Sequence, residues 1–254
     1  MSAKALLGAT LFVLAAGLGG GGFYAAQTFG PAKIDPETLC PADGSKTITL
    51  VIVDKTDPLS LAEQTRAQEA VSKEREMLRR GDRIVVKLLE QGSETNPVSL
   101  DTIVDLCNPG AESNPFLENP KRVTARYEAA FREPIDAALS HFSGTASASA
   151  SPIVRAIELA VQDLHAGPQT RLKLVIISDL MEHGAEISAY SGTLTEDALH
   201  KLMEKSSKPL FKGADIKVVL LGRPRYEKQQ KIAVNAWRRF FLDVSNQEPA
   251  IAQP

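Results

Sequence analysis

A chain of 254 residues with a formal net charge of −2 carries no broad positive field, so attraction to nucleic acid or to an anionic lipid surface is not built into it. Hydrophobic residues at 43% and charged residues at 24% suffice for one sizeable buried core and leave disorder to the ends and short linkers. Cys40 and Cys107 are the only cysteines, and without CxxC or Cys/His spacing they exclude a zinc site of that kind.

In chain order, Ala5 to Ala26 is free of charge and long enough to span a bilayer, which predicts a membrane anchor over residues 1–28. A cleaved signal peptide is the rival, but cleavage after Ala25 or Ala26 would put Phe23 or Tyr24 where a small residue belongs. Lys4 precedes the span and Lys33 is balanced by Asp35 and Glu37 after it, so the amino terminus falls in the cytoplasm and the globular part on the outer, periplasmic or extracellular, side of the cell membrane. Residues 29–45, punctuated by Gly30, Pro31, Pro36, Pro41 and Gly44, read as a tether. Both cysteines lie beyond the span, where a Cys40–Cys107 disulfide and two unpaired thiols remain equally open.

Thr47 to Val53 is an apolar, β-branched run of the kind covered on both faces in a parallel sheet, and it ends in Asp54-Lys55-Thr56-Asp57-Pro58. A helix follows from about Leu59 to Arg80, with Ala62, Ala70, Val71, Met77 and Leu78 available to the sheet and Gly81 as its cap. Its run Lys73-Glu74-Arg75-Glu76 reads as a solvated face. Strands over 82–89 and 100–107, joined by a turn at Gly92, Asn96 and Pro97, form an antiparallel hairpin, and a long polar loop runs from Asn108 to Lys121. A helix over 121–142 is interrupted at Pro134.

After the serine-rich stretch ending at Ser151, the apolar stripe Ile153, Ala156, Ile157, Ala160, Val161 and Leu164 predicts a helix capped by Ser151. Leu172 to Ile177 is a second buried strand and ends in Ser178-Asp179. Beyond it come an irregular segment with Glu182, His183 and Tyr190, a helix over 194–205, a strand over 216–221, and a last helix over 227–244 bearing Trp237, Phe240 and Phe241. Arg223 reads as ordinary surface. The globular domain spans 46–245, and 246–254 is expected to be a disordered tail.

Two carboxylates thus leave two apolar strands in the same sense, and ligands gather at the carboxyl ends of such strands. At this point the chain resembles the von Willebrand factor A domain, whose metal-ion-dependent adhesion site uses Asp-x-Ser-x-Ser after the first strand, a later-loop Thr and an Asp after the fourth strand. Asp54-x-Thr56 matches the first two positions, Ser151 the later hydroxyl and Asp179 the last carboxylate, while Pro58 stands where the second Ser belongs. The resemblance implies a three-layer, Rossmann-like α/β domain with a mostly parallel sheet and one antiparallel edge strand. It also implies an Mg²⁺ or Mn²⁺ ion held by Asp54, Thr56, Ser151 and Asp179, and a protein partner on a rim carrying Lys55, Asp57, Ser149, Glu182 and His183.

The function expected is therefore a non-enzymatic, membrane-anchored protein-binding module within a larger envelope-associated complex. One alternative is a tethered hydrolase like the haloacid dehalogenase phosphatases, with Asp54 as nucleophile, but the acid those enzymes need two residues later is here Thr56. The other is a scaffold whose metal site is vestigial. His141, His165 and His200 show no ligand spacing, and no P-loop, Gly-x-Gly-x-x-Gly or Gly-x-Ser-x-Gly motif occurs.

Overall fold

A computed structural model describes residues 34–91, 98–113, 119–144, 148–167 and 169–252. The expected anchor and residues 29–33 of the tether lie outside the described residues, as do the hairpin turn at Gly92, Asn96 and Pro97 and Ser147 of the serine-rich stretch. Among the described residues no helix is long and apolar enough to cross a membrane.

Strands Thr47–Asp54 (β1), Arg83–Gln91 (β2), Val98–Cys107 (β3), Arg171–Ser178 (β4), Asp215–Leu220 (β5) and Ala250–Ala252 (β6) form one sheet in the order β3-β2-β1-β4-β5-β6. β1 runs parallel to β2 and β4, β4 to β5, and β5 to β6; β3 alone is antiparallel. The mostly parallel sheet with an antiparallel edge strand is the one expected from the sequence. Leu50, Val51, Ile52 and Val53 are all buried, so the strand has no wet face and no alternating pattern.

Helices cover both faces. Leu50, Ile52, Leu174, Ile176 and Val218 point to the layer built by Ile153–Asp163, Glu196–Leu202 and Glu227–Ser245, where Ile157, Leu199, Trp237 and Phe241 pack. Val51, Val53, Val86, Val175 and Ile177 point the other way, onto Ala67 and Val71 of Leu61–Met77 (α1) and onto Phe131, Ile135 and Phe142. A capping box opens α1: the Ser60 hydroxyl accepts from the Glu63 N–H and the Glu63 carboxylate accepts from the Ser60 N–H. The helix is shorter than expected, because Leu78 is already extended and Gly81, at φ +84°, turns the chain into β2 instead of capping it.

Proline 134 does not divide its helix. Pro120–Tyr127 (α2) passes through a π-helical turn at Glu128–Arg132 into Glu133–Ala138 (α3) and a closing tight turn at Leu139–Phe142. Since Pro134 has no N–H to donate one turn back, the helix widens just before it and keeps Phe131 and Ile135 on the sheet.

The expected disordered tail is corrected: Asn246, in the left-handed region at φ 57°, stops the last helix, and Ala250–Ala252 add to the edge of β5. Three residues are too few for a periodic signal, whereas the open N–H and C=O groups of that edge supply their partners.

The charged run on α1 is also corrected. Ala67, Ala70, Val71, Glu74 and Arg75 fall on one helical stripe and all are buried, while Ala62 and Met77 are exposed. Glu74 is 1% exposed between Lys173 of β4 at 2.6 Å and Lys217 of β5 at 2.9 Å, and Arg75 pairs with Asp136. By strand alternation Lys173 shares its face with Val175 and Lys217 shares its face with Val219, so both lysines project toward α1. Glu74→Gln is expected to cost about 2 kcal/mol, because the lysines lose their counter-charge but still reach solvent. Urea unfolding against the exposed neighbour Glu76→Gln, expected within about 0.5 kcal/mol of the parent, measures the difference.

Candidate functional site

The strand order reverses between β1 and β4, and the carboxyl edge there is where a doubly wound sheet opens a crevice. Val53 lies opposite Ile177, which sets Asp54 beside Ser178 and brings Asp179 next on the same edge. The two sequence-distant carboxylates therefore meet, with Asp54 6% and Asp179 4% exposed.

Asp54 is held by hydroxyls. Its Oδ1 accepts from the Thr56 N–H at 3.1 Å and the Thr56 Oγ1 at 2.6 Å, and its Oδ2 from Ser178 Oγ at 2.7 Å and Ser151 Oγ at 3.4 Å. Ser178, which the sequence marks only as the end of its strand, also accepts the Leu180 N–H, which helps hold buried Leu180 at φ 60°; the Leu180 carbonyl accepts from the Trp237 indole at 3.0 Å. That kink lies just beyond Asp179, where β4 has already ended at Ser178.

Ser151 is not a helix cap, which corrects the expectation. Its N–H donates to the His183 carbonyl and the His183 N–H donates back, a two-bond bridge that leaves the hydroxyl directed at Asp54. Glu182 takes over the capping: its Oε2 accepts the Val154 N–H at 2.9 Å at the start of the helix Ile153–Asp163 (α4). Burial pushes the Glu182 carboxyl up to about 8, against the pull of the Val154 and Ile153 N–H groups, with the Asp54 charge adding to the rise.

Asp179 carries a cation at this edge. Arg223, just after β5, brings Nε to 2.7 Å from Asp179 Oδ2 and 3.6 Å from Asp57 Oδ2, and Nη1 to 2.9 Å from Glu63 Oε1. Gln230 fixes this corner: its Oε1 accepts the Arg223 N–H, and its amide donates to the Asp179 and Leu221 carbonyls. Burial and the Asp54 charge push the Asp179 carboxyl up to about 7, with Arg223 pulling the other way. Burial works against the Arg223 charge too, but Asp179, Glu63 and Asp57 together raise its pKa.

Of the residues expected on the partner-binding rim, Ser149 is exposed and His183 partly so. Glu182, 3% exposed, belongs to the interior. Lys55 turns away from Asp54 to Glu90 at 2.7 Å and to the His141 carbonyl, which leaves it as a strut along the sheet edge rather than a free contact. Asp57 is partly engaged, by Arg223 and by the Tyr190 hydroxyl at 3.4 Å. Cys40 and Cys107 are joined as a disulfide at the opposite, amino end of the sheet.

Asp54, Thr56, Ser151 and Asp179 converge as hard oxygen donors of the kind Mg²⁺ or Mn²⁺ prefers. The charge such an ion would bring is already there, since the guanidinium occupies Asp179 and reaches Asp57, and Pro58 withholds the further hydroxyl. A divalent ion and Arg223 compete for one carboxylate, so this arrangement does not fit the ion. Among the described residues no group of three or more His, Cys, Asp or Glu is placed to hold a metal. Arg223, Gln230 and Ser178 were missed in the sequence because each acts through the loops at the ends of β4 and β5. The one available signal was Gly222-Arg223-Pro224 following a buried strand at the same carboxyl edge.

No family model matches the chain, and no curated protein matches it. Among solved structures, the von Willebrand factor type A protein from Catenulispora acidiphila is similar at a TM-score of 0.45 and 15% identity, over 83% of this chain and 39% of that one. The ArnB paralog VWA2 from Sulfolobus acidocaldarius gives a TM-score of 0.44 at 10% identity, over 82% of this chain and 41% of that one. The match thus spans about two fifths of each of these two chains. An aerotolerance-related membrane protein from Bacteroides fragilis gives 0.36 at 11% identity, over 82% of this chain and 92% of that one.

Proposed function

We propose that the chain is a von Willebrand A-type protein-binding module, tethered to the cell membrane through residues 1–28, that works without catalysis inside a larger envelope-associated assembly. The observation that carries this reading is the meeting of Asp54 and Asp179, with the hydroxyls of Thr56, Ser151 and Ser178, at the point where the strand order reverses. An open groove of about 770 Å³ beside it, lined by Asp57, Pro58, Glu63, Arg66, Arg223 and Pro224 among others, offers a partner side chains of both charges over an apolar floor. The apolar run Ala5 to Ala26 supports the tether, and the charges flanking it support an outward-facing domain.

Hydrolysis finds less support. A nucleophilic carboxylate needs a free lone pair and an acid for the leaving group, whereas Asp54 accepts four hydrogen bonds and Thr56 stands at the acid's position.

The binding reading is tested in the full-length chain in its own membrane, with a photo-crosslinking residue at Ser149 or Glu186 on the rim, or at Asp43 on the opposite edge. A discrete protein adduct from both rim positions, absent from Asp43 and reduced several-fold by Asp54→Ala, is the expected result. Adducts from Asp43 alone, adducts indifferent to Asp54→Ala, or none from the rim would defeat it.

A further inference from the structure

The surroundings of Arg223 are more elaborate than an ordinary surface ion pair requires. Its side chain is 17% exposed, and its guanidinium meets three carboxylates, Asp179, Glu63 and Asp57, while Nη1 also donates to the Gly222 carbonyl at 3.1 Å. Each carboxylate is independently fixed. Glu63 belongs to the capping box of α1, where Ser60 and Arg223 outweigh burial and hold its carboxyl below its ordinary value. Asp179 accepts the Met181 N–H at 2.8 Å, and Asp57 accepts from the Tyr190 hydroxyl. The arginine backbone is fixed as well, between Gly222 and Pro224 and under the Gln230 side chain. A planar fork held at several points loses little freedom when it binds carboxylates, which is why arginine suits such a place better than lysine.

From this geometry we infer that Arg223 is the resident counter-ion of the cleft. Its guanidinium stands where a divalent cation would neutralise Asp179 and Asp57, so the native rim needs no metal, and withdrawing it converts Asp54, Thr56, Ser151 and Asp179 into a divalent-cation site. Two facing carboxylates with hydroxyl neighbours and no internal cation form an oxygen-donor set suited to Mn²⁺ or Mg²⁺. With Arg223 in place, an added dication meets a fixed positive charge on the carboxylate it must share. The inference rests on reading this rim as the working surface, yet its test uses no partner, so its failure and that of the binding proposal are told apart.

The test is calorimetric titration of the full-length chain in detergent with Mn²⁺, and separately with Mg²⁺, for the parent, Arg223→Gln, Glu63→Gln and the pair Arg223→Gln with Asp54→Asn, each checked for fold by circular dichroism. The parent is expected to give no Asp54-dependent heat at millimolar Mn²⁺. Arg223→Gln should bind at least tenfold more tightly with a metal-dependent rise in melting temperature, and the pair should lose both. Glu63→Gln, which leaves the guanidinium on Asp179 and the Gly222 carbonyl, should bind no more tightly than the parent. Parent binding as tight as Arg223→Gln, or a folded Arg223→Gln that binds no ion, overturns the inference. Should Arg223→Gln fail to fold, Arg223→Met, which keeps the length of the side chain and loses its charge, decides alone: tighter Mn²⁺ binding than the parent supports the inference and equal binding refutes it.

Discussion

Cys40→Ser is expected to lower the stability of the folded domain by about 4 kcal/mol, and reductant should have the same effect on the parent chain. The disulfide joins cysteines 67 residues apart and so closes β1, α1, β2 and β3 into one covalent loop. A loop of that length removes about 4 kcal/mol of conformational freedom from the unfolded chain, which for a domain of this size shifts the melting temperature by roughly 10 °C. The folded partners remain when the bond is broken, since the Cys107 N–H still donates to the Thr38 carbonyl at 2.7 Å and Asp35 still accepts from the Glu37 and Thr38 N–H groups. Cys40 is the better residue to replace because Cys107 is fully buried and its loss would add a packing defect. Thermal melts of parent and variant, with and without reductant, should converge on one reduced value, and a gap below about 1 kcal/mol would mean that the closed loop constrains nothing. The bond also fixes where the chain enters the domain, at the amino edge of β1 and away from Asp54.

Much of the fold could be read from the sequence, and the places where it could not have a common cause. Apolar runs such as Leu50 to Val53 and Leu174 to Ile177 announce strands buried on both faces, and the short polar link between β2 and β3 announces their antiparallel pairing, because both signals are local. Asp54 and Asp179 were legible for the same reason: each ends its own run. What failed was whatever depends on a partner from another element. Glu74 looks solvated until Lys173 and Lys217 reach it from two strands of the sheet; Arg223 looks like surface until Asp179, Glu63 and Asp57 converge on it. Ser151 followed by proline has the pattern of a cap, yet the bridge to His183 turns its hydroxyl to Asp54 and leaves the α4 terminus to a glutamate 28 residues away from the N–H it caps. Local propensity names elements well, but the chemistry of a site made by three loops is settled by which distant charge arrives.

Glu182 gives the clearest consequence of such an arrival. Its carboxyl is raised from 4.5 to about 8 in the folded domain, first by burial, so between those values the folded chain holds a proton that the unfolded chain has lost. The native state then binds more protons than the unfolded one, and stability must fall as pH rises. The contribution is complete below about pH 4.5 and is lost by about pH 8, a change of up to about 5 kcal/mol at about 1.4 kcal/mol per pH unit. Asp179 leans the same way, so the slope of the parent alone does not isolate Glu182. Glu182→Gln does: the amide oxygen can still accept the Val154 N–H, no proton is gained or lost, and every other group stays as it was. Denaturant unfolding at steps from pH 5 to pH 8.5 should therefore show the parent losing stability relative to Glu182→Gln, with the variant the more stable form at the alkaline end. Parallel curves would mean that Glu182 is ionised in the folded domain and that the N–H groups of α4 outweigh its burial. Glu182→Ala should be less stable than Glu182→Gln by about 2 kcal/mol at every pH, because it leaves the Val154 N–H buried without an acceptor. With that anchor gone the loop holding His183 against Ser151 loosens, and the hydroxyl that reaches Asp54 is the first part of the rim to lose its place.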